Sequence, residues 1–259
     1  MSSRKTLLDI LSQRYPDFSR KELSAMVMCG EVMVNGETLR FPRIVIPEDS
    51  IISLKIKDYV SRGGVKLEFA LKKWNIGVAG KVFIDVGAST GGFTHCLLKH
   101  GAENVHAVDV GYNLIDYSLR QDSRVLLHER INIMDVKELF PEPQAAVVDL
   151  SFRSITGAAS HILNLVSEKW LIALIKPQFE WQDPDKRFRG VIKDKGDLLR
   201  VMKNVVDSLW EEKAFVTKTL PSPIKGRKGN VEFLFLIQDS EDKCREEILE
   251  RLKFAVKTL

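Results

Sequence analysis

The stretch "VFIDVGASTGGFTHCLL", residues 82–98, constrains the fold more than any other part of this chain. An apolar run reaches Asp85, turns through Gly87, Ser89, Gly91 and Gly92, and passes straight into an apolar helical pattern. A strand that enters a helix through such a turn is the opening of a βαβ unit, since parallel strands are joined only through a crossover. The alternation continues downstream. Strand-like runs fall at 82–86, 104–109, 124–128, 145–149, 170–175, 214–219 and 231–237, with helical patterns at 66–74, 92–99, 113–120, 154–166, 197–212 and 240–257. That order predicts an α/β fold, a doubly wound sheet with helices on both faces. A chain of 259 residues has room for such a core and a small extra module.

The module is residues 1–58. Leu7, Leu8 and Leu11 lie at helical spacing, and Ser19 with Glu22 forms a capping-box pattern for a second helix that Gly30 ends. "EVMVNGETL" alternates around an Asn-Gly turn, which predicts a hairpin, and "RIVIPEDSIISLKI" supplies more strand. Two short helices followed by a hairpin resemble the alpha-L RNA-binding domain of ribosomal protein S-four and many pseudouridine synthases, on the stretch "SRKEL…CGEVMVNGE". The resemblance implies a small α+β RNA-binding domain, with Arg4, Arg14, Arg20 and Lys21 near the helix ends where they reach phosphates. The module holds 9 basic against 8 acidic residues, so the motif rather than the charge points to RNA. A polar junction, "KDYVSRGGVKL", leads to the sheet, so residues 59–259 form the second domain.

The net charge of +4 is unevenly spread: Lys186 to Lys228 carries 12 Lys or Arg against 5 Asp or Glu. Such density suits a polyanion, and also a merely solvated surface. No apolar run approaches the roughly 20 residues of a membrane span, and "MSSRKTLLDILSQRYPDF" lacks the apolar stretch of a signal peptide. Cys29, Cys96 and Cys244 are odd in number and in no metal-like spacing, which fits reduced thiols and a cytoplasmic protein that needs no metal.

The glycine turn itself leaves its ligand open. A nicotinamide fingerprint puts glycine where Ser89 stands, so that match is imperfect. S-adenosylmethionine has no pyrophosphate, and its cationic end suits Asp85. Asp109, 22 residues after Gly87, is placed to accept ribose hydroxyls of either cofactor. A structural turn with no ligand is the third reading. Downstream, "AAVVDLSF" ends a strand at Asp149, and "WLIALIKPQFE" ends another at Lys176, stopped by Pro177. Glu232 opens "VEFLFLI", which reaches the same edge if that strand runs antiparallel, and Lys66 begins the helix before the first strand. Two lysines and two acids thus converge on one cleft.

That set is similar to the Lys-Asp-Lys-Glu tetrad of FtsJ-like RNA 2'-O-methyltransferases. "YVSRGGVKLEFAL", "DVGASTGGFTHCLL", "VVDLSFRSI", "IKPQFE" and "SPIKGRKGNVEFL" together resemble the TlyA family, historically called haemolysins. The resemblance covers essentially the whole chain. It implies a Rossmann-like class I methyltransferase sheet behind the RNA-binding domain, S-adenosylmethionine as cofactor, and ribosomal RNA or ribosomal subunits as partner, with cytidines of the large subunit, and in some members the small, as targets. It gives Lys66, Asp149, Lys176 and Glu232 as catalytic residues, and Asp85, Gly87, Ser89, Gly91, Gly92, Asp109 and Asn132 around the cofactor. Lys176 is the residue expected closest to the hydroxyl. Lys66 is expected beside it as the cation that helps it lose its proton. Phe152 is placed either to stack on a turned-out nucleotide or to pack in the core, and the run Lys225, Arg227, Lys228 to dock RNA. The rival readings are a membrane-active cytolysin, a nicotinamide dehydrogenase and a ribosome-binding factor with an inactive site. The first leaves the tetrad unexplained, Ser89 disfavours the second, and the intact tetrad disfavours the third.

Overall fold

The computed structural model describes residues 3–54, 58–151, 153–181, 190–226, 228–240 and 244–259. The chain divides into two compact units, Met1–Asp58 and Tyr59–Leu259.

In the first unit β1 (Arg4–Thr6) leads into α1 (Leu7–Arg14), then α2 (Arg20–Met28), β2 (Val32–Val34), β3 (Glu37–Thr38), β4 (Val45–Pro47) and β5 (Ile52–Leu54). Ser19 accepts the Glu22 N–H while the Glu22 carboxylate accepts the Ser19 N–H, so the predicted capping box is present. Asn35 and Gly36 both take positive φ, 51° and 86°, which is what the tight hairpin between β2 and β3 demands. Leu7, Ile10, Leu11, Leu23, Val27 and Val32 are buried together as this unit's own core. The short strand β1, paired antiparallel with β4, is an element that the leucine spacing gave no sign of.

The second unit is built on a seven-stranded sheet. Its strands are β6 (Val82–Val86), β7 (Asn104–Asp109), β8 (Val125–Glu129), β9 (Ala145–Val148), β10 (Trp170–Ile175), β11 (Phe215–Pro221) and β12 (Phe233–Gln238). They lie in the order β11-β12-β10-β9-β6-β7-β8. All pairs are parallel except those of β12, which runs antiparallel to β10 and β11. The strand order therefore reverses at β6, with β7 on one side and β9 on the other, where a doubly wound sheet opens its ligand crevice. The expected α/β class is the one found.

Alternation along each strand feeds two cores. Ile84, Val86, Ala146, Val148, Leu171 and Ala173 face one side. That side is covered by α6 (Ala159–Asn164), α7 (Lys195–Glu211) and α8 (Arg245–Thr258). Phe83, Ala145, Val147, Ile172 and Leu174 face the other. There α3 (Arg62–Trp74) and α4 (Gly92–Lys99) lay Leu67, Ala70, Phe93 and Leu97 against them.

Three helices differ from the sequence reading for local reasons. The helix carrying Lys66 begins at Arg62, because the Ser61 hydroxyl accepts the Gly63 N–H and caps it there. The pattern over 113–120 is helical only as α5 (Tyr117–Arg120): Asn113 is left-handed and gives its N–H to Glu129, and Asp116 caps the helix. The pattern over 154–166 shortens to α6, since the Ser154 and Thr156 hydroxyls bond each other and Gly157 takes a φ of 76°.

Candidate active site

The carboxyl edge of the sheet gathers the chemistry. Ile175 of β10 pairs with Phe233 of β12. Lys176 and Glu232, one residue further out along each strand, therefore emerge at the same edge. Asp149 follows β9 there, and its N–H donates to the Val86 carbonyl at the end of β6.

The two lysines and two acids form two ion pairs. Lys66 Nζ lies 2.5 Å from Glu232 Oε2, and both side chains are buried. Lys176 Nζ lies 2.6 Å from Asp149 Oδ1 and also donates to Ser151 Oγ at 2.9 Å. The Lys176–Asp149 contact is an ion pair off the angle of a directed hydrogen bond, whereas Ser151 is met squarely. This refines one expectation: the charge nearest to Lys176 is a carboxylate, and Lys66 gives its own charge to Glu232 rather than to Lys176. All four residues line one cavity of about 610 Å³, with Ser61, Arg62, Gln178, Phe179 and Asn230.

A second cavity of about 370 Å³ opens beside the first, sharing Gly87, Ser89, Asp149 and Ser151 with it. Val110, Gly111, Leu114, Ile131, Asn132 and Ile133 make it a largely apolar slot with Asp109 at its side. Backbone approach shapes the junction between the cavities. A Cβ on Gly87 would stand 2.8 Å from the Asp149 carbonyl oxygen, closer than a side chain tolerates. A Cβ on Gly92 would stand 2.1 Å from Ser61 Oγ, so this glycine lets the starts of α3 and α4 meet. Ser89, the residue that spoiled the dinucleotide pattern, is itself left-handed at a φ of 49°. Its N–H donates to Asp109 Oδ2 at 2.8 Å, and Gly111 N–H donates to Asp109 Oδ1 at 2.7 Å. Asp109 therefore braces the glycine turn and faces the slot at once. Asn132 accepts the Met134 N–H and caps the 3-10 turn Ile133–Asp135 at the slot's rim.

Asp85 is fully buried beneath the turn. Its Oδ2 accepts from both the N–H and the hydroxyl of Thr94, at 2.8 and 2.6 Å, while Oδ1 accepts nothing. Burial, opposed by the Thr94 bonds and helped by the charge of Asp149, pushes its carboxyl up to about 7. An orphaned buried carboxylate oxygen at the wall of a cavity fits a cationic group, and the apolar slot beyond fits a planar base. The donor set therefore suits a cofactor that carries a nucleoside at one end and a cation at the other. Among the described residues no group of three or more His, Cys, Asp or Glu is placed to hold a metal ion.

The basic candidates divide. Arg14 donates to the carbonyls of Glu48 and Ser50, and Arg20 pairs with Asp9 at 2.6 Å, so both are tied into their own unit, while Arg4 and Lys21 are exposed. Lys225 and Lys228 are exposed, and Lys228 lines the larger cavity. Phe152 and Arg227 lie outside the described residues. His95 accepts the Val60 N–H at Nδ1. Sequence reasoning missed Ser151, Thr94 and Gln178. All three sat inside quoted motifs, Ser151 and Gln178 two residues past Asp149 and Lys176, but only the fold shows which way they face.

The family model for FtsJ-like methyltransferases matches residues 59–238. Among curated proteins, Hemolysin A of Brachyspira hyodysenteriae is 42% identical over 228 residues, 83% of this chain and 92% of that one. The 16S/23S rRNA (cytidine-2'-O)-methyltransferase TlyA of Mycobacterium tuberculosis is 32% identical over 239 residues, covering 87% of each chain. A solved structure from Streptococcus thermophilus that carries a hemolysin name is 31% identical, with a TM-score of 0.71 over 100% of this chain and 98% of that one.

Proposed function

The chain belongs to the FtsJ-like methyltransferase family, in the branch that includes TlyA, and on that premise we propose that it transfers a methyl group from S-adenosylmethionine to the 2'-hydroxyl of a cytidine in ribosomal RNA. The observation that carries this reading is the pair of ion pairs, Lys66–Glu232 and Lys176–Asp149, in one cavity at the carboxyl edge of the sheet. A dehydrogenase or a pore-former has no use for them. No helix among the described residues is long and apolar enough to cross a membrane.

Asp109 and Asn132 would hold the nucleoside of the cofactor in the smaller cavity, and Asp85 the cationic end. Bound there, S-adenosylmethionine supplies a methyl group already activated by its positive sulfur. What the chain adds is position and a proton acceptor. A lysine takes a proton only as the free amine. The Ser151 hydroxyl accepts an N–H of the amine and the Asp149 carboxylate lies beside it, which positions the nitrogen for the incoming hydroxyl. As the proton arrives, Asp149 at 2.6 Å stabilises the ammonium that forms. Lys66 and Glu232 neutralise each other, so that wall of the cavity offers a donor and an acceptor to the ribose without net charge. Holding the hydroxyl in place beside the cofactor site would contribute much of the acceleration.

Residues 1–58 are read as the RNA-binding domain of the alpha-L type, which brings the ribosomal substrate to residues 59–259. Arg4 and Lys21 are exposed cations of this unit, and Lys225 and Lys228 are exposed cations of the other, which support an RNA substrate. The ribosomal substrate places the protein's work in the cytoplasm. The test is to map ribose methylation across ribosomal RNA from cells with and without the gene. A cytidine methylated only in its presence is the expected result, and unchanged maps would refute the assignment.

A further inference from the structure

The larger cavity contains one buried acceptor that the mechanism leaves unused. Gln178 stands on the 3-10 turn Pro177–Phe179, two residues past Lys176, and its side chain lines the cavity. Its carboxamide oxygen is closed off from solvent and accepts no hydrogen bond. Other polar side chains of that wall are already engaged. Asn230 accepts the Ile192 N–H and donates to the Gly190 carbonyl. Glu232 holds Lys66, and Ser151 holds Lys176. The free oxygen of Asp85 is matched to the cofactor's cation. A native fold rarely leaves a buried carbonyl oxygen unmet, and one on a residue that lines a ligand cavity is a place for a ligand to supply the donor.

Position narrows which donor. Lys176 marks where the reacting 2'-hydroxyl sits, and the base hangs from the neighbouring carbon of the same ribose. The Phe179 ring, which also lines the cavity, stands next to Gln178 in the chain. At the edge of the base, cytosine presents an exocyclic amine, a donor, where uracil presents a carbonyl oxygen. With the carboxamide oriented as it is here, the amine makes a hydrogen bond to the Gln178 oxygen, whereas the carbonyl sets two acceptors against each other until the carboxamide turns over. We propose that Gln178 selects the target base, its buried carboxamide oxygen accepting the exocyclic amine of cytosine and rejecting uridine. This rests on the reading of the site as a cytidine 2'-O-methyltransferase.

The experiment uses the full chain, methyl-labelled S-adenosylmethionine, and ribosomal subunits from cells lacking the modification, with either the mapped target cytidine or uridine in its place. Digestion to nucleosides counts 2'-O-methylcytidine and 2'-O-methyluridine. The wild-type protein is expected to favour cytidine by about 100-fold or more. Gln178→Met keeps the volume and removes the acceptor. It should lose about 10- to 100-fold in kcat/KM on cytidine, bring the cytidine-to-uridine ratio close to one, and leave cofactor affinity unchanged. Gln178→Glu keeps an acceptor at the same place and should keep the preference. A Met variant with the wild-type ratio, or one that loses cofactor binding in step with activity, overturns the assignment. If the Met variant fails to fold, the Glu variant decides, and a lost preference there overturns it equally. A wild-type protein inert on both substrates refutes the underlying methyltransferase reading and takes this proposal with it. That outcome is distinct from an active wild type whose selectivity ignores Gln178.

Discussion

Removing one partner of the Lys66–Glu232 pair should destabilise the second unit far more than removing both. The two side chains retain 9% and 4% of their exposure and meet at 2.5 Å, so neither charge has water to fall back on. Lys66→Met leaves a buried carboxylate, and Glu232→Leu leaves a buried ammonium. Breaking a buried pair in this way costs about 3–5 kcal/mol. The unit runs from Tyr59 to Leu259, and for a domain of that size each kcal/mol lowers Tm by about 2–4 °C, so each single variant should melt roughly 6–20 °C earlier. The double variant Lys66→Met with Glu232→Leu replaces the pair by apolar groups, and should regain most of the loss. Urea unfolding followed by tryptophan fluorescence isolates this unit, because Trp74, Trp170, Trp181 and Trp210, the four tryptophans of the chain, all lie in it. All three variants should be catalytically damaged, so stability and not turnover is the readout. Single losses below about 1 kcal/mol, or a double variant whose loss is the sum of the two, would refute the claim that these residues act as one desolvated pair.

Cofactor binding should depend on pH through Asp85. Its carboxyl sits at about 7 in the fold against an ordinary value of 3.8, so the folded state holds the proton more tightly than the unfolded one. The free protein therefore loses this contribution to stability as pH rises from the ordinary value towards about 7, and is level above it. A cation needs the ionised form, so S-adenosylmethionine affinity should run the opposite way, weakening about tenfold per pH unit below that point. Calorimetric titrations from pH 5.5 to 7.5 test it, and an Asp85→Asn protein with the same slope would contradict it. Separately, residues 59–259 alone should bind the cofactor as the full chain does but methylate structured ribosomal subunits far more slowly, as single-turnover assays on matched substrates would show. Equal rates would remove the role given to residues 1–58.

The parts of the fold set by local chemistry were readable in advance. The capping box at Ser19 and Glu22, the Asn35-Gly36 turn and the strand at 82–86 each depend on residues a few positions apart. The convergence of Lys176 and Glu232 was readable only conditionally, because it depended on β12 running antiparallel, which is a property of the whole sheet. Which lysine pairs with which acid was not readable at all. Lys66 and Glu232 lie 166 residues apart in sequence, and only the assembled unit brings them together. The helix over 113–120 was overestimated for a related reason: Asn113 gives its N–H to Glu129, a partner 16 residues away, and that long-range bond outweighs local periodicity. Gln178 was quoted within a motif, yet a glutamine gains meaning only when its oxygen is seen to be buried and unmet.

In the proposed mechanism Lys176 takes the proton from a ribose hydroxyl during methyl transfer. The most direct measurement is single-turnover transfer by the Lys176→Arg protein, with cofactor and RNA affinities measured alongside. Guanidinium keeps the charge beside Asp149 but does not give up its proton at any working pH. Near-normal binding of both ligands is expected, with a methyl-transfer rate close to that of Lys176→Ala and no 2'-O-methylcytidine formed on the time scale of the wild type. An arginine variant that transfers methyl at near the wild-type rate would contradict it, leaving Lys176 as a fixed positive charge and the proton to another acceptor.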